Sequence, residues 1–184
     1  MINVFIFHGF EANPDANWFP WLKEELEKKG YTVFVPEMPD SGSPKLDAWM
    51  KHMEQYKDKI DENTIFVGHS LGSPFILHIL ERLDHPIKAA FLVSAFVGEL
   101  GPVFDPFIGD ISMRKFNWEK IRKNCSKFTI INSDNDPYIP LEKAKELHEK
   151  LPDSDLKIFP ARGHLNLGTG FFTFEELRDA ILQV

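Results

Sequence analysis

The sequence predicts an α/β domain built on a largely parallel sheet, and three observations carry that prediction. Six short runs rich in Val, Ile and Phe recur without strict apolar and polar alternation, as strands buried on both faces do. Segments with apolar residues at helical spacing separate them. One run passes straight into a serine bracketed by glycines and then into a helix. Alternating strand and helix implies right-handed crossovers between parallel strands.

The strands are expected at Asn3-Phe7, Tyr31-Val35, Thr64-Val67, Ala89-Val93, Phe128-Ile131 and Leu156-Phe159. The first helix carries Trp18, Leu22 and Leu26 and ends at Gly30, a residue suited to the left-handed position past a helix end. Ser43-Pro44 reads as the N-cap and first turn of a second helix with Leu46, Trp49, Met53 and Tyr56 on its apolar side. Leu71 to Leu83 forms a third, apolar on most sides, as a helix lodged centrally against a sheet is. Leu141 to Leu151 forms a later helix, and Thr173-Phe174-Glu175-Glu176 reads as a capping box opening the last, with Leu177, Ile181 and Leu182 inward. From Ser94 to Asn117 no period is clear. Such long loops tend to be functional, and this one reads either as a small lid lining a cleft with Phe96, Phe104 and Phe107, or as a loop packed down by its own phenylalanines.

A chain of 184 residues is long enough for one continuous core, so a single domain over residues 1–184 is expected. A formal charge of -7, without a Lys and Arg cluster interleaved with aromatics, argues against nucleic-acid and anionic-membrane partners. The apolar opening lacks the basic region and cleavage site of a secretory signal, and His8-Gly9 interrupts it. No run approaches the length of a membrane span. Cys125 stands alone, which fits a reducing, cytoplasmic setting and reads as a partly buried inert thiol. Sequence patterns for metal binding or phosphate cradling are absent, so no cofactor is expected.

Gly68-His69-Ser70-Leu71-Gly72 matches Gly-x-Ser-x-Gly, a pattern that arises by chance in about one chain of this length in twenty. Its context raises its value: a strand before and a helix after are what a strained turn presenting a serine hydroxyl requires. A serine hydroxyl needs a base to take its proton, and the base needs an orienting carboxylate. After the fifth strand comes Asn132-Ser133-Asp134-Asn135-Asp136-Pro137-Tyr138-Ile139-Pro140, and after the sixth Pro160-Ala161-Arg162-Gly163-His164-Leu165-Asn166. The chain order is then serine, aspartate, histidine, with Asp134 and Asp136 both available as the acid.

With these residues in view the chain resembles the α/β-hydrolases, and within them the small serine hydrolases of the retinoblastoma-binding protein 9 and YdeN-like type. The resemblance rests on His8-Gly9-Phe10-Glu11, Asn17-Trp18-Phe19-Pro20-Trp21-Leu22, the serine turn, Ser133 to Pro140 and Gly163-His164-Leu165-Asn166, nearly the whole chain. It implies a compact core with strand order 2-1-3-4-5-6 and no large cap domain. It also implies Ser70, Asp136 and His164 as a triad, Asp136 because it directly precedes Pro-x-Ile-Pro.

Acyl transfer also needs donors for a developing oxyanion, and the backbone N–H groups of Leu71 and Phe10 are the candidates. Glu11 departs from the glycine-rich loop of many lipases. Glu11, Trp18 and Phe96 are candidate cleft residues, although Trp18 also fits the core stripe of the first helix. His69 is expected to point away from the serine, and His8 to shape its loop. The expected activity is hydrolysis of a small carboxylic ester, or an amide, through an acyl-enzyme. The competing reading is a ligand- or protein-binding module that keeps the serine turn as a relic. A retinoblastoma partner gains no support, because Asn124-Cys125-Ser126 is not a Leu-x-Cys-x-Glu motif.

Overall fold

The computed structural model describes residues 2–184, so Met1 of the expected domain lies outside the described residues. β1 (Asn3–Phe7), α1 (Phe19–Glu27), β2 (Thr32–Phe34) and α2 (Leu46–Met53) open the chain. β3 (Ile65–His69), α3 (Gly72–Leu80), β4 (Ala89–Val93), α4 (Asp105–Ser112) and α5 (Trp118–Asn124) form its middle. β5 (Phe128–Ser133), α6 (Leu141–Lys150), β6 (Asp155–Phe159) and α7 (Glu175–Ile181) complete it. The six strands form one sheet, ordered β2-β1-β3-β4-β5-β6, and every ladder is parallel.

Two apolar layers cover the sheet, and the pleat sorts residues between them. Val4, Ile6, Ile65, Val67, Phe91 and Val93 meet Phe19, Leu22 and Leu26 of α1 and Leu177 and Ile181 of α7. Their neighbours Phe5, Phe7, Phe66, Ala90 and Leu92 meet Trp49 of α2, Phe75 and Ile76 of α3 and Leu147 of α6. α3 is buried on every side, which accounts for its nearly unbroken apolar sequence.

Strand order reverses between β1 and β3, where the chain leaves for opposite edges, and a crevice opens beyond the carboxyl ends of strands at such a point. Pairing brings Phe7 opposite Gly68, His69 opposite Val93 and Ser133 opposite Phe159. The segments after β1, β3, β5 and β6 therefore emerge at one end of the sheet.

Several local expectations are corrected. α2 starts at Leu46 with no side-chain cap from its own chain start; Asp110 of α4 accepts the Leu46 N–H at 2.8 Å instead of Ser43. Tyr56 lies in a separate 3-10 turn, Glu54–Lys59. α3 stops at Leu80, short of Leu83, where the Asn124 side chain donates to both the Leu80 and Leu83 carbonyls at 2.8 Å. The box expected at Thr173 to Glu176 is absent: α7 has no side-chain cap, and Thr173 Oγ1 donates to the Glu175 carboxylate at 3.1 Å. A capping box does occur in the 3-10 turn Leu167–Thr169, between Asn166 and Thr169.

The interval from Ser94 to Asn117 holds a helix, α4, rather than an aperiodic loop. Asp105 accepts the Leu100 and Gly101 N–H groups at 2.7 and 3.0 Å and starts it. The Ile111 carbonyl is bonded to His78 of α3 at 2.8 Å, and the Ser112 carbonyl accepts the Gly98 N–H at 2.7 Å. With Asp110 gripping α2, the second half of α4 is tied down at three points.

Candidate functional site

The turn between β3 and α3 is set by sterics. Ser70 has φ +55°, a left-handed value that costs an L-residue roughly 1–2 kcal/mol. Its N–H donates to the Val93 carbonyl at 2.9 Å and its own carbonyl accepts the Ser73 N–H at 2.9 Å, so both flanks of the strained residue are held. Side chains cannot replace the glycines here. A Cβ on Gly68 would lie 2.6 Å from the Gly72 carbonyl oxygen, and one on Gly72 would collide with the Phe7 carbonyl oxygen. Gly9 passes less closely but still tightly, since a Cβ there would meet Ser70 Cβ at 3.0 Å.

Asp136 and His164 meet at the same end of the sheet. His164 Nδ1 donates to Asp136 Oδ2 at 2.7 Å, and the Asp136 side chain is wholly buried. The other carboxylate oxygen accepts the N–H groups of Tyr138 and Ile139 at 2.9 and 3.1 Å. Both carboxylate oxygens are thus engaged, Oδ1 by two donors and Oδ2 by one, and the imidazole carries its proton on Nδ1, which leaves Nε2 free to act as a base. Asp134 takes a different job: it is exposed, and its Oδ1 accepts the Ala161 N–H at 2.7 Å. Among the described residues no hydrogen bond joins Ser70 Oγ to His164, although both line one cavity; such contacts commonly tighten only when substrate binds.

That cavity is about 370 Å³ in volume. Leu71, Phe96, Leu100, Phe104, Ile108 and Ile139 form its apolar walls, and Phe10, Glu11, Tyr138 and Asn166 complete the lining. Glu11, with φ +51°, is the one carboxylate among the described lining residues, and neither Lys nor Arg lines the cavity. The Phe10 and Leu71 N–H groups have no hydrogen-bond partner among the described residues, while the next amide, that of Glu11, donates to the Ser41 carbonyl at 3.0 Å. His8, buried beneath this loop, bonds the Gly9 carbonyl through Nδ1 at 2.9 Å and accepts the Met38 N–H at Nε2 at 3.0 Å. An N–H can only donate, so the proton sits on Nδ1, and burial holds His8 below its ordinary pKa. It shapes the loop as a neutral ring.

Two cleft assignments are corrected. Trp18 is fully buried on the opposite face of the sheet, where its Nε1 donates to the Leu165 carbonyl at 2.9 Å and its ring packs on Phe19 and Phe174. It supports the histidine segment from behind and does not line the cavity. Phe107 also falls outside the lining; its ring rests 5.8 Å from that of Phe10 on the outer surface of α4. Conversely, sequence reasoning assigned nothing to Tyr138, whose ring stands edge-on to His164 at 5.1 Å and to Phe104 at 5.9 Å. Its place inside Asp-Pro-Tyr-Ile-Pro was the available signal. Leu100 and Ile108 were missed because Pro106 and Gly109 masked the helical period around them.

Among the described residues no group of three His, Cys, Asp or Glu side chains is placed to hold a metal ion, and no helix is long and apolar enough to cross a membrane.

The sequence and the fold have counterparts among known proteins. The family model described as serine hydrolase matches residues 4–183. YdeN of Bacillus subtilis (strain 168) is 30% identical over 180 residues, covering 97% of this chain and 93% of that protein. The serine hydrolase RBBP9 of Rattus norvegicus is 33% identical over 148 residues, 80% of this chain and 77% of that protein. The crystal structure of the B. subtilis ydeN gene product superposes with a TM-score of 0.93 at 29% identity, over 100% of this chain and 98% of that one. Est1E from Butyrivibrio proteoclasticus, with ferulic acid bound, shares the fold at a TM-score of 0.77 and 18% identity, over 100% of this chain and 89% of that one.

Proposed function

This chain belongs to the serine hydrolase family, and on that footing we propose that it cleaves a small carboxylic ester, or an amide, through an acyl-enzyme on Ser70. The observation that carries the reading is the 2.7 Å bond from His164 to a buried Asp136 beside the cavity that holds the strained serine. Ser70 Oγ attacks the substrate carbonyl as His164 Nε2 takes the hydroxyl proton, and Asp136 steadies the imidazolium that forms. Oxygen of the tetrahedral intermediate receives the free N–H groups of Leu71 and Phe10, each worth about 3 kcal/mol in comparable sites. His164 returns its proton to the leaving alcohol or amine, the C–O or C–N bond breaks, and water repeats the sequence to release the acid.

The cavity supports a substrate of modest size with an apolar acyl or alcohol part. Glu11 at its rim favours neutral or cationic substrates over anionic ones. The chemistry calls for no metal or organic cofactor and no nucleic-acid or membrane partner. A cytoplasmic location is consistent with Cys125, whose buried thiol is pushed up to about 12 and is therefore inert.

A fluorophosphonate probe tests the proposal. Expected is a single adduct at Ser70, located by mass spectrometry, that falls sharply in His164→Ala and Asp136→Asn. A folded protein that takes no label, and turns over no p-nitrophenyl ester, would instead be a binding module on a hydrolase fold.

A further inference from the structure

The segment between β6 and the 3-10 turn carries His164 with little regular structure to hold it. Ala161, Gly163 and Leu165 all have left-handed φ, at +53°, +56° and +48°. Such a backbone persists only where its surroundings over-determine it. Here the surroundings are four consecutive residues after the middle of β5. Ser133 Oγ accepts the Arg162 N–H at 2.9 Å, Asp134 Oδ1 the Ala161 N–H at 2.7 Å, Asn135 Oδ1 the Gly163 N–H at 2.8 Å, and Asp136 Oδ2 the His164 Nδ1–H at 2.7 Å. Four neighbours bind four neighbours, and the last of these bonds is the one the reaction uses.

We infer that Asn135 is a positioning residue: its side-chain carbonyl sets the register of the two segments, so that Asp136 meets the imidazole of His164. This inference rests on the hydrolase reading above. The Asn135 oxygen also accepts the Ser133 hydroxyl proton at 2.8 Å, which fills both of its lone pairs. Because the Gly163 amide can only donate, the carboxamide cannot be turned around. The result is a directed chain, from the Arg162 N–H to the Ser133 hydroxyl to the Asn135 oxygen, with the Gly163 N–H converging on that same oxygen. On the far side of His164, its carbonyl receives His69 Nε2 and Ser94 Oγ, each at 3.0 Å. The Arg162–Gly163 peptide unit upstream of His164 and the His164–Leu165 unit after it are both clamped, and the Asn135 bond is the clamp on the upstream one. A shift of about 1 Å in such a group costs roughly 100-fold in rate.

Gly163 cannot serve as the test position, because a side chain there would collide with Thr169. Asn135→Ala and Asn135→Asp are compared by steady-state kinetics on a p-nitrophenyl ester and by the low-field proton NMR signal of His164 Nδ1–H. Asn135→Ala is expected to stay folded, to lose about 10- to 100-fold in kcat with KM within about twofold, and to lose or broaden that signal. Asn135→Asp keeps the acceptor oxygen, so it recovers the signal and most of kcat. Its new carboxylate moves the acidic limb of the pH profile to higher pH. A folded Asn135→Ala variant with unchanged kcat and an intact signal overturns the inference. If Asn135→Ala does not fold, Asn135→Asp decides, and loss of the signal there overturns it. Should the wild-type protein hydrolyse no ester, the hydrolase reading fails separately, while the NMR comparison still decides the role of Asn135.

Discussion

His69 and His164 are joined across 95 residues of chain by a 3.0 Å bond from the Nε2 of one to the backbone carbonyl of the other. A carbonyl only accepts, so His69 carries its proton on Nε2. Adjacent residues at the end of β3 thus point apart, Ser70 into the cavity and His69 to the opposite face, against Trp18 and Phe19. The residue beside Ser70 grips the main chain of His164, and the two halves of the candidate site share one strand end.

Burial, with the nearby His164 ring adding to it, lowers the pKa of His69 from its ordinary 6.5 to about 3. Between those values the unfolded chain binds a proton that the folded one refuses. The contribution of His69 to stability is therefore complete above pH 6.5 and is lost as pH falls toward 3, at about 1.4 kcal/mol per pH unit. Denaturant titrations at several pH values should show a shallower acid loss in His69→Gln than in the wild type. Equal slopes would mean that His69 is not the proton-excluding group.

Asp134 and Asp136 differ in what they hold. Asp136→Asn disturbs the tautomer of His164 and should lower kcat by up to about 10⁴-fold with little change in KM. Asp134→Asn keeps an acceptor for the Ala161 N–H and should leave kcat close to wild type. Equal losses in the two variants would contradict the assignment of the acid.

Glu11 should make the site sensitive to substrate charge. A carboxylate within a few ångströms of a charged substrate contributes about 1 kcal/mol near water, or roughly fivefold in kcat/KM. The p-nitrophenyl ester of butyrate should be preferred over that of succinate, and Glu11→Gln or high salt should narrow the gap. A preference that survives both changes would remove Glu11 from that role.

Gly72→Ala places a methyl group against the Phe7 carbonyl, which neither rigid backbone can yield. It should destabilise the fold by roughly 1–3 kcal/mol or more. Gly42→Ala makes only an ordinary contact, 3.9 Å from Glu11 Cγ, and should change stability by less than about 0.5 kcal/mol. Urea midpoints of the pair check both expectations.

The inner strands β1, β3, β4 and β5 were readable because burial on both faces leaves a local mark, a short run of Val, Ile and Phe; the edge strands β2 and β6 are only partly buried or exposed, against the expectation. α3 was readable for the same reason as the inner strands, and the serine turn because its glycines stand in one contiguous pattern, although Gly72 answers to the Phe7 carbonyl of β1. α4 was not readable, because what starts and ties it is a set of bonds to α2, α3 and its own entry loop. The cap of α2 was misread because its acceptor, Asp110, lies 64 residues further on.

By itself the sequence determined the alternation of strand and helix, the serine turn, and the order in which serine, acid and histidine occur. These are read from periodicity and from short contiguous patterns, both local in the chain. Only the tertiary structure brought Asp136 and not Asp134 against His164, moved Trp18 out of the cleft, and matched Ser133 to Asp136 against Ala161 to His164. Those outcomes depend on the distance between loops that the sheet brings together, and a hydrogen bond changes partner over less than the width of one residue.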